Sequence, residues 1–169
     1  MNGAGVLVDG FGRVREAVHD AVGGLSPELL HARLDPGANT IAWLVWHLTR
    51  IQDDHVAGVA GEEQLWLSEG WADRFGLPFP ATATGYGHTA EEVGSVRVRT
   101  PALLPDYYDA VHERTVGFVR TLRDADLDRV VDTSWSPPVT LGVRLVSVVA
   151  EDLQHAGQAA FLRGCLERR

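Results

Sequence analysis

Four long stretches of helical periodicity, with no alternating strand pattern of comparable length, most constrain what this 169-residue chain can fold into. The first runs from about Val6 to Ala21, with Val6, Phe11, Val14 and Val18 toward one side, and stops at Gly23-Gly24. Ser26-Pro27-Glu28 supplies a cap and a proline at the first helical position, which predicts a short helical turn. The second begins after Asn39 and runs from Thr40 to about Val59, near Gly61. Its stripe is Ile41, Leu44, Val45, Leu48, Ile51 and His55, spaced by three and four. The third spans about Pro101 to Arg123 with Thr100 as its cap. The fourth spans Leu141 to about Glu167, capped by Thr140 after Ser136-Pro137-Pro138. The expected fold is all-α: an antiparallel four-helix bundle, with residues 1–169 forming one domain.

Two segments stand outside that pattern. Gly94-Ser95-Val96-Arg97-Val98-Arg99 alternates like a strand but has no obvious partner. Between the second and third helices, from about Glu62 to Arg99, lies a long crossover rich in Gly and Pro. It carries Trp66, Trp71, Phe75, Phe79, Tyr86 and His88. Connections of this length commonly form lids or binding loops, and this one is expected both to cover the bundle's flank and to line a pocket.

Composition removes several functions. A net charge of −8 opposes a nucleic-acid partner, whose phosphates demand a basic face. All 15 basic residues are Arg, so Schiff-base chemistry and a phosphate-loop lysine are excluded. The single Cys165 can form no intramolecular disulfide and no Cys-rich zinc cluster, and it is read as a packing residue. No stretch has the roughly 18 uninterrupted apolar residues of a membrane span. Met1-Asn2-Gly3-Ala4-Gly5 lacks the features of a signal peptide, and a cytoplasmic protein is expected.

The residues that could carry chemistry sit on the second and fourth helices. At about 100° per residue, Val148, Glu151, His155, Ala159 and Leu162 share one row, with Gln158 extending it. A carboxylate within an apolar row is costly unless neutralised or paired. His155 lies one turn on, where both side chains can meet a common point. For that pair in isolation, a buried ion pair or hydrogen bond is the simpler account. His47, flanked by Trp46 and Leu48, supplies a third donor on another helix, and taken alone it reads as a satisfied core histidine. Two imidazoles, one carboxylate and an open position make a catalytic zinc set, and the same set suits non-haem iron(II).

The stretches Asn39-Thr40-Ile41-Ala42-Trp43-Leu44-Val45-Trp46-His47-Leu48-Thr49-Arg50 and Asp53-Asp54-His55 resemble the second helix of the DinB/YfiT-like superfamily. Glu151-Asp152-Leu153-Gln154-His155-Ala156-Gly157-Gln158 resembles its fourth-helix metal motif. The loop stretches Arg74-Phe75-Gly76-Leu77-Pro78 and Thr84-Gly85-Tyr86-Gly87-His88-Thr89 are similar to an actinobacterial branch. The resemblance implies a bundle, commonly a homodimer, holding a divalent metal on His47, Glu151 and His155. Many members carry a third His where this chain has Glu151. The Glu resembles the mycothiol-dependent maleylpyruvate isomerases, which use zinc, and the related mycothiol S-transferases, and so favours zinc over nickel or iron. Those isomerases carry a further C-terminal domain, so the resemblance implies the transferase. In it, zinc activates mycothiol or a similar small thiol for attack on an electrophile.

Asp54 and Asp152 are candidates to support the imidazoles from outside the ligand set. His88 is the candidate acid–base group, with a loop-ordering hydrogen bond as its structural alternative. His19, His31 and His112 show no partner pattern. The Trp66, Trp71, Phe75 and Tyr86 set reads mainly as an anchor for the loop. Two other readings compete: a non-catalytic metal- or small-molecule-binding stress-response protein, and a metal-free helical interaction protein in which Glu151 and His155 merely pair.

Overall fold

The computed structural model describes residues 1–168, and its long helices lie close to where periodicity predicts them. They are α1 (Gly3–Val22), α3 (Ile41–Ala60), α7 (Leu103–Arg120) and α8 (Leu141–Leu166). Capping chemistry sets their starts. The Asn2 side chain accepts from the Gly5 amide, Thr40 from Trp43 and Thr140 from Val143, each satisfying an otherwise orphaned first-turn donor. Gly61, in the left-handed region, ends α3. The short α2 (Pro27–His31) opens on Ser26 and Pro27. At the third long helix the capping differs from expectation: Thr100 is not the cap, and α7 starts after Ala102 without a side-chain bond.

Each long helix buries one stripe. The C-terminal half of α1, the N-terminal halves of α3 and α7, and the C-terminal half of α8 share one core, around Trp46, Leu48, Tyr107 and Tyr108. The opposite halves share a second core around Phe11, Val56, Val119, Leu141 and Leu145. Around the bundle, α8 lies between α1 and α3, and α7 closes the ring on the other side. The two-core pattern makes α3 antiparallel to α8 and α1 antiparallel to α7. It makes α7 run in the same sense as α3, which is what the long crossover between them permits. Val6, expected on the inward stripe of α1, is 57% exposed.

The crossover is not structureless. It folds into α4 (Leu65–Ser68), α5 (Trp71–Phe75) and α6 (Ala90–Ser95), and its Trp66, Trp71 and Phe75 rings pack on Tyr107 of α7. Tyr86, grouped with them in the sequence, is exposed instead. The alternation at 94–99 is real in burial, with Val96 and Val98 inward and Arg97 outward, but it forms no ladder. The Val98 amide donates to His31 Nε2 in place of a neighbouring strand. The strands of the described residues lie elsewhere, in the antiparallel pair β1 (Val130–Asp132) and β2 (Val139–Thr140), just before α8. Among the described residues no helix is long and apolar enough to cross a membrane.

Candidate metal centre

Because α3 packs on the bundle with one face and is roofed by the crossover on the other, it is buried almost all round from Ile41 to Arg50. His47 sits in that stretch and faces α8 where Glu151 and His155 project. His47 Nε2 lies 3.3 Å from Glu151 Oε1, and His155 Nε2 lies 3.1 Å from the same oxygen. One ligand atom from each of the three falls within 4.8 Å of the others. Trp43 stacks on the His47 ring at 4.6 Å and meets His155 edge-on, walling the group on one side.

The outer nitrogens decide what the inner ones can do. His47 Nδ1 is 2.6 Å from the Thr84 carbonyl, which only accepts, so Nδ1 carries the proton. His155 Nδ1 donates to Gln158 Oε1 at 2.9 Å. In both neutral imidazoles the Nε2 lone pair then faces a carboxylate oxygen, an arrangement of acceptors that a proton or a metal ion must bridge. Glu151 Oε2 is buried with no hydrogen-bond partner among the described residues. Burial by itself raises the Glu151 proton affinity. The bonds and charges of His155 and His47 outweigh it and bring the carboxyl to about 2. His155 is shifted up chiefly by its bond to Glu151, against its own burial. A divalent cation fits this donor set: two imidazole nitrogens, one carboxylate and an unsatisfied second oxygen.

The support comes from places the sequence reading did not mark. Among the described residues Asp54 accepts from Gln64 Nε2 and makes no bond to His47, and Asp152 lies fully buried in the core beside Glu151. Burial and the neighbouring Glu151 hold the Asp152 carboxyl well above the usual range. The support for His47 is instead a backbone carbonyl of the crossover, fixed by Arg50. This guanidinium has no exposure at all. It donates from Nε to the Ala83 carbonyl at 3.2 Å, from Nη2 to Ala81 at 3.5 Å and from Nη1 to Gln64 at 2.7 Å. Gly85 completes the contact. Its φ is +96°, and a Cβ there would stand 2.7 Å from His47 Nδ1, so a residue with no side chain is what lets the loop come this close.

Asp53 holds the same roof from below. It accepts from the Leu65 and Trp66 amides, from the Tyr107 hydroxyl and from Arg114 Nη2, all within 3.0 Å. His88 stands one ring away from the possible metal triad, beyond Trp43. Its Nδ1 accepts from the Trp43 indole at 3.2 Å, and its ring lies over Trp46 and Phe79. Burial lowers its proton affinity, so it is neutral at pH 7. Of the other histidines, His19 bonds Asp109 and His112 stacks on Tyr108, both away from this centre. Cys165 is a half-buried free thiol near Arg168.

A family model of the DinB superfamily matches residues 11–159. The chain belongs to the DinB superfamily. Its fold is similar to the crystal structure of the conserved protein of locus from Enterococcus faecalis, at 29% identity and a TM-score of 0.90. The match covers 96% of each chain. Among curated proteins none matches. In this DinB protein the possible metal triad thus joins two helices of the bundle at the seam that the crossover roofs.

Proposed function

We propose that this DinB-superfamily protein is a zinc-dependent S-transferase that uses mycothiol or a similar low-molecular-weight thiol. One observation carries the reading. Two imidazoles direct Nε2 at a single carboxylate oxygen while both Nδ1 atoms are committed to fixed acceptors. His47, Glu151 and His155 would hold the ion. Bound there, zinc stabilises a thiolate at neutral pH and so supplies a nucleophile.

The chain's own residues do the rest. The Thr84 carbonyl and Gln158 fix the tautomers, which keeps the ligating nitrogens unprotonated and aimed. Trp43 closes one side of the centre to water. His88, neutral because of its burial, is the proposed acid–base group: with Nδ1 accepting from the Trp43 indole, its Nε2–H is the proton it can give to the leaving group, while the thiol proton passes to solvent. In the transfer a sulfur–carbon bond forms and the bond from that carbon to the leaving group breaks.

Metal analysis of protein purified without added metal should find zinc at one per chain, lost in His47→Ala and Glu151→Ala. A thiol-consumption assay with a model electrophile should show turnover that these variants abolish. Full turnover in either variant overturns the mechanism, and metal binding without turnover would mark a non-catalytic binding protein.

A further inference from the structure

The seam between α3 and α8 does not end at the metal triad. Past Glu151 it opens into a small cavity of about 130 Å³ lined by Ile51, His55, Arg144, Ser147 and Val148. His55 and Arg144 also line the next cavity, of about 520 Å³, whose far wall is Arg129 with the β1 strand. The two therefore form one trough leading away from the proposed metal. Arg144 lies seven residues before Glu151 on the same helix, about 10 Å along the axis. That is close to the extended length of three residues.

The hydrogen-bond state of the walls says what would fill this trough. Arg144 is held rigidly, donating to Asp132 at 2.8 Å and to His55 Nδ1 at 3.1 Å. Accepting at Nδ1 leaves the neutral His55 with a proton on Nε2. Asp132 also takes the amide and hydroxyl of Ser134, and Asp54 takes Gln64. Arg129 spends one nitrogen on the Val59 carbonyl. Glu151 of the triad closes the inner end, and beyond it two guanidinium groups stand against two carboxylates, Asp54 and Asp132. Outside the triad the trough thus carries no net charge to attract an anion, yet it is dense in donors and acceptors. Its floor includes Gly58, where an added side chain would meet nothing within 4 Å.

We infer that this trough binds the uncharged, hydroxyl- and amide-rich body of the thiol cosubstrate, with Arg144 as its specificity-determining contact. The inference rests on the S-transferase reading, whose thiol sulfur belongs at the triad. An anionic thiol of equal length gains nothing from a neutral site and loses its own hydration. A short thiol such as mercaptoethanol does not reach Arg144.

The test uses cobalt-loaded protein and the thiolate-to-cobalt absorption band, with N-acetylcysteinyl-glucosamine, glutathione and mercaptoethanol as probes. The wild type is expected to bind the glucosamine conjugate at least tenfold more tightly than either of the others. Arg144→Gln should reduce that ratio about tenfold. Gly58→Leu, which fills the trough from a helix position with open space, should do the same should the arginine variant fail to fold. A preference for glutathione, or a ratio unchanged in the folded variants, overturns the inference. A second arm needs no metal. The S-methyl derivative of the glucosamine conjugate is titrated into the metal-free protein while the Arg144 Nε–H resonance is followed. A saturable shift supports the trough, and no shift overturns it. Absence of the cobalt band with every thiol would instead count against the S-transferase reading alone.

Discussion

With four donors on its two oxygens and almost no exposure, Asp53 ties α3 to α4 and α7 at once. Removing a buried carboxylate strands its partners: Arg114 loses its anion and two amides lose their acceptor. Asp53→Ala is expected to cost about 3–5 kcal/mol, read from the urea unfolding midpoint. Gly85→Ala tests a different quantity. It should weaken cobalt binding tenfold or more with little change in helix content, because the new Cβ presses on His47 and the backbone there disfavours a side chain. At this scale the three converging side chains of the possible triad were legible and their support was not. A Glu and a His one turn apart on an apolar row make a pattern that a sequence displays. A backbone carbonyl at Thr84 does not, since every residue has one. The buried Arg50 could have been noticed, as an arginine within the long apolar stretch that begins at Ile41.

Between elements, α1 and α7 are held on their outer edge by Asp109, which takes Arg15 Nε and His19 Nε2 at 2.8 Å each. Burial pushes the Asp109 carboxyl up, but these two bonds prevail and its pKa lies below the ordinary value. A carboxylate depressed in the folded state stabilises above its unfolded pKa, near 4, and the contribution fades as pH falls through the folded value. Asp109→Asn should therefore cost under about 1 kcal/mol at pH 7, the pair being partly exposed. Wild type and variant should converge in thermal melts as the pH falls through the folded-state value of Asp109. The long elements were readable because each repeats a strong period over many residues. The β1–β2 pair was not, since strands of three and two residues carry no period to detect. The stretch at 94–99 shows the converse: two valines bury on alternate positions and mimic a strand without pairing as one.

For the molecule as a whole, an ion bound as proposed at the seam between α3 and α8 would couple its binding to folding. An ion held by both helices in the native state, and by neither when unfolded, should add about 2.7 kcal/mol at a hundredfold excess over its Kd. For a domain of this size that is a rise of roughly 5–10 °C in Tm. Differential scanning calorimetry with zinc and then with chelator should show this rise and its reversal, and His47→Ala should show neither. The bundle itself was legible from four helical periods. The sense of its helices follows from which halves share a core, information that no single helix carries.

The division of the triad between α3 and the last helix also sets an order of events during synthesis. Until α8 leaves the ribosome, the growing chain holds only one member of the triad, His47, and a single imidazole is too weak a hold to retain an ion. Loading at the proposed centre would therefore wait for the finished bundle, and a nascent chain would meet the cell's metal supply without committing to it.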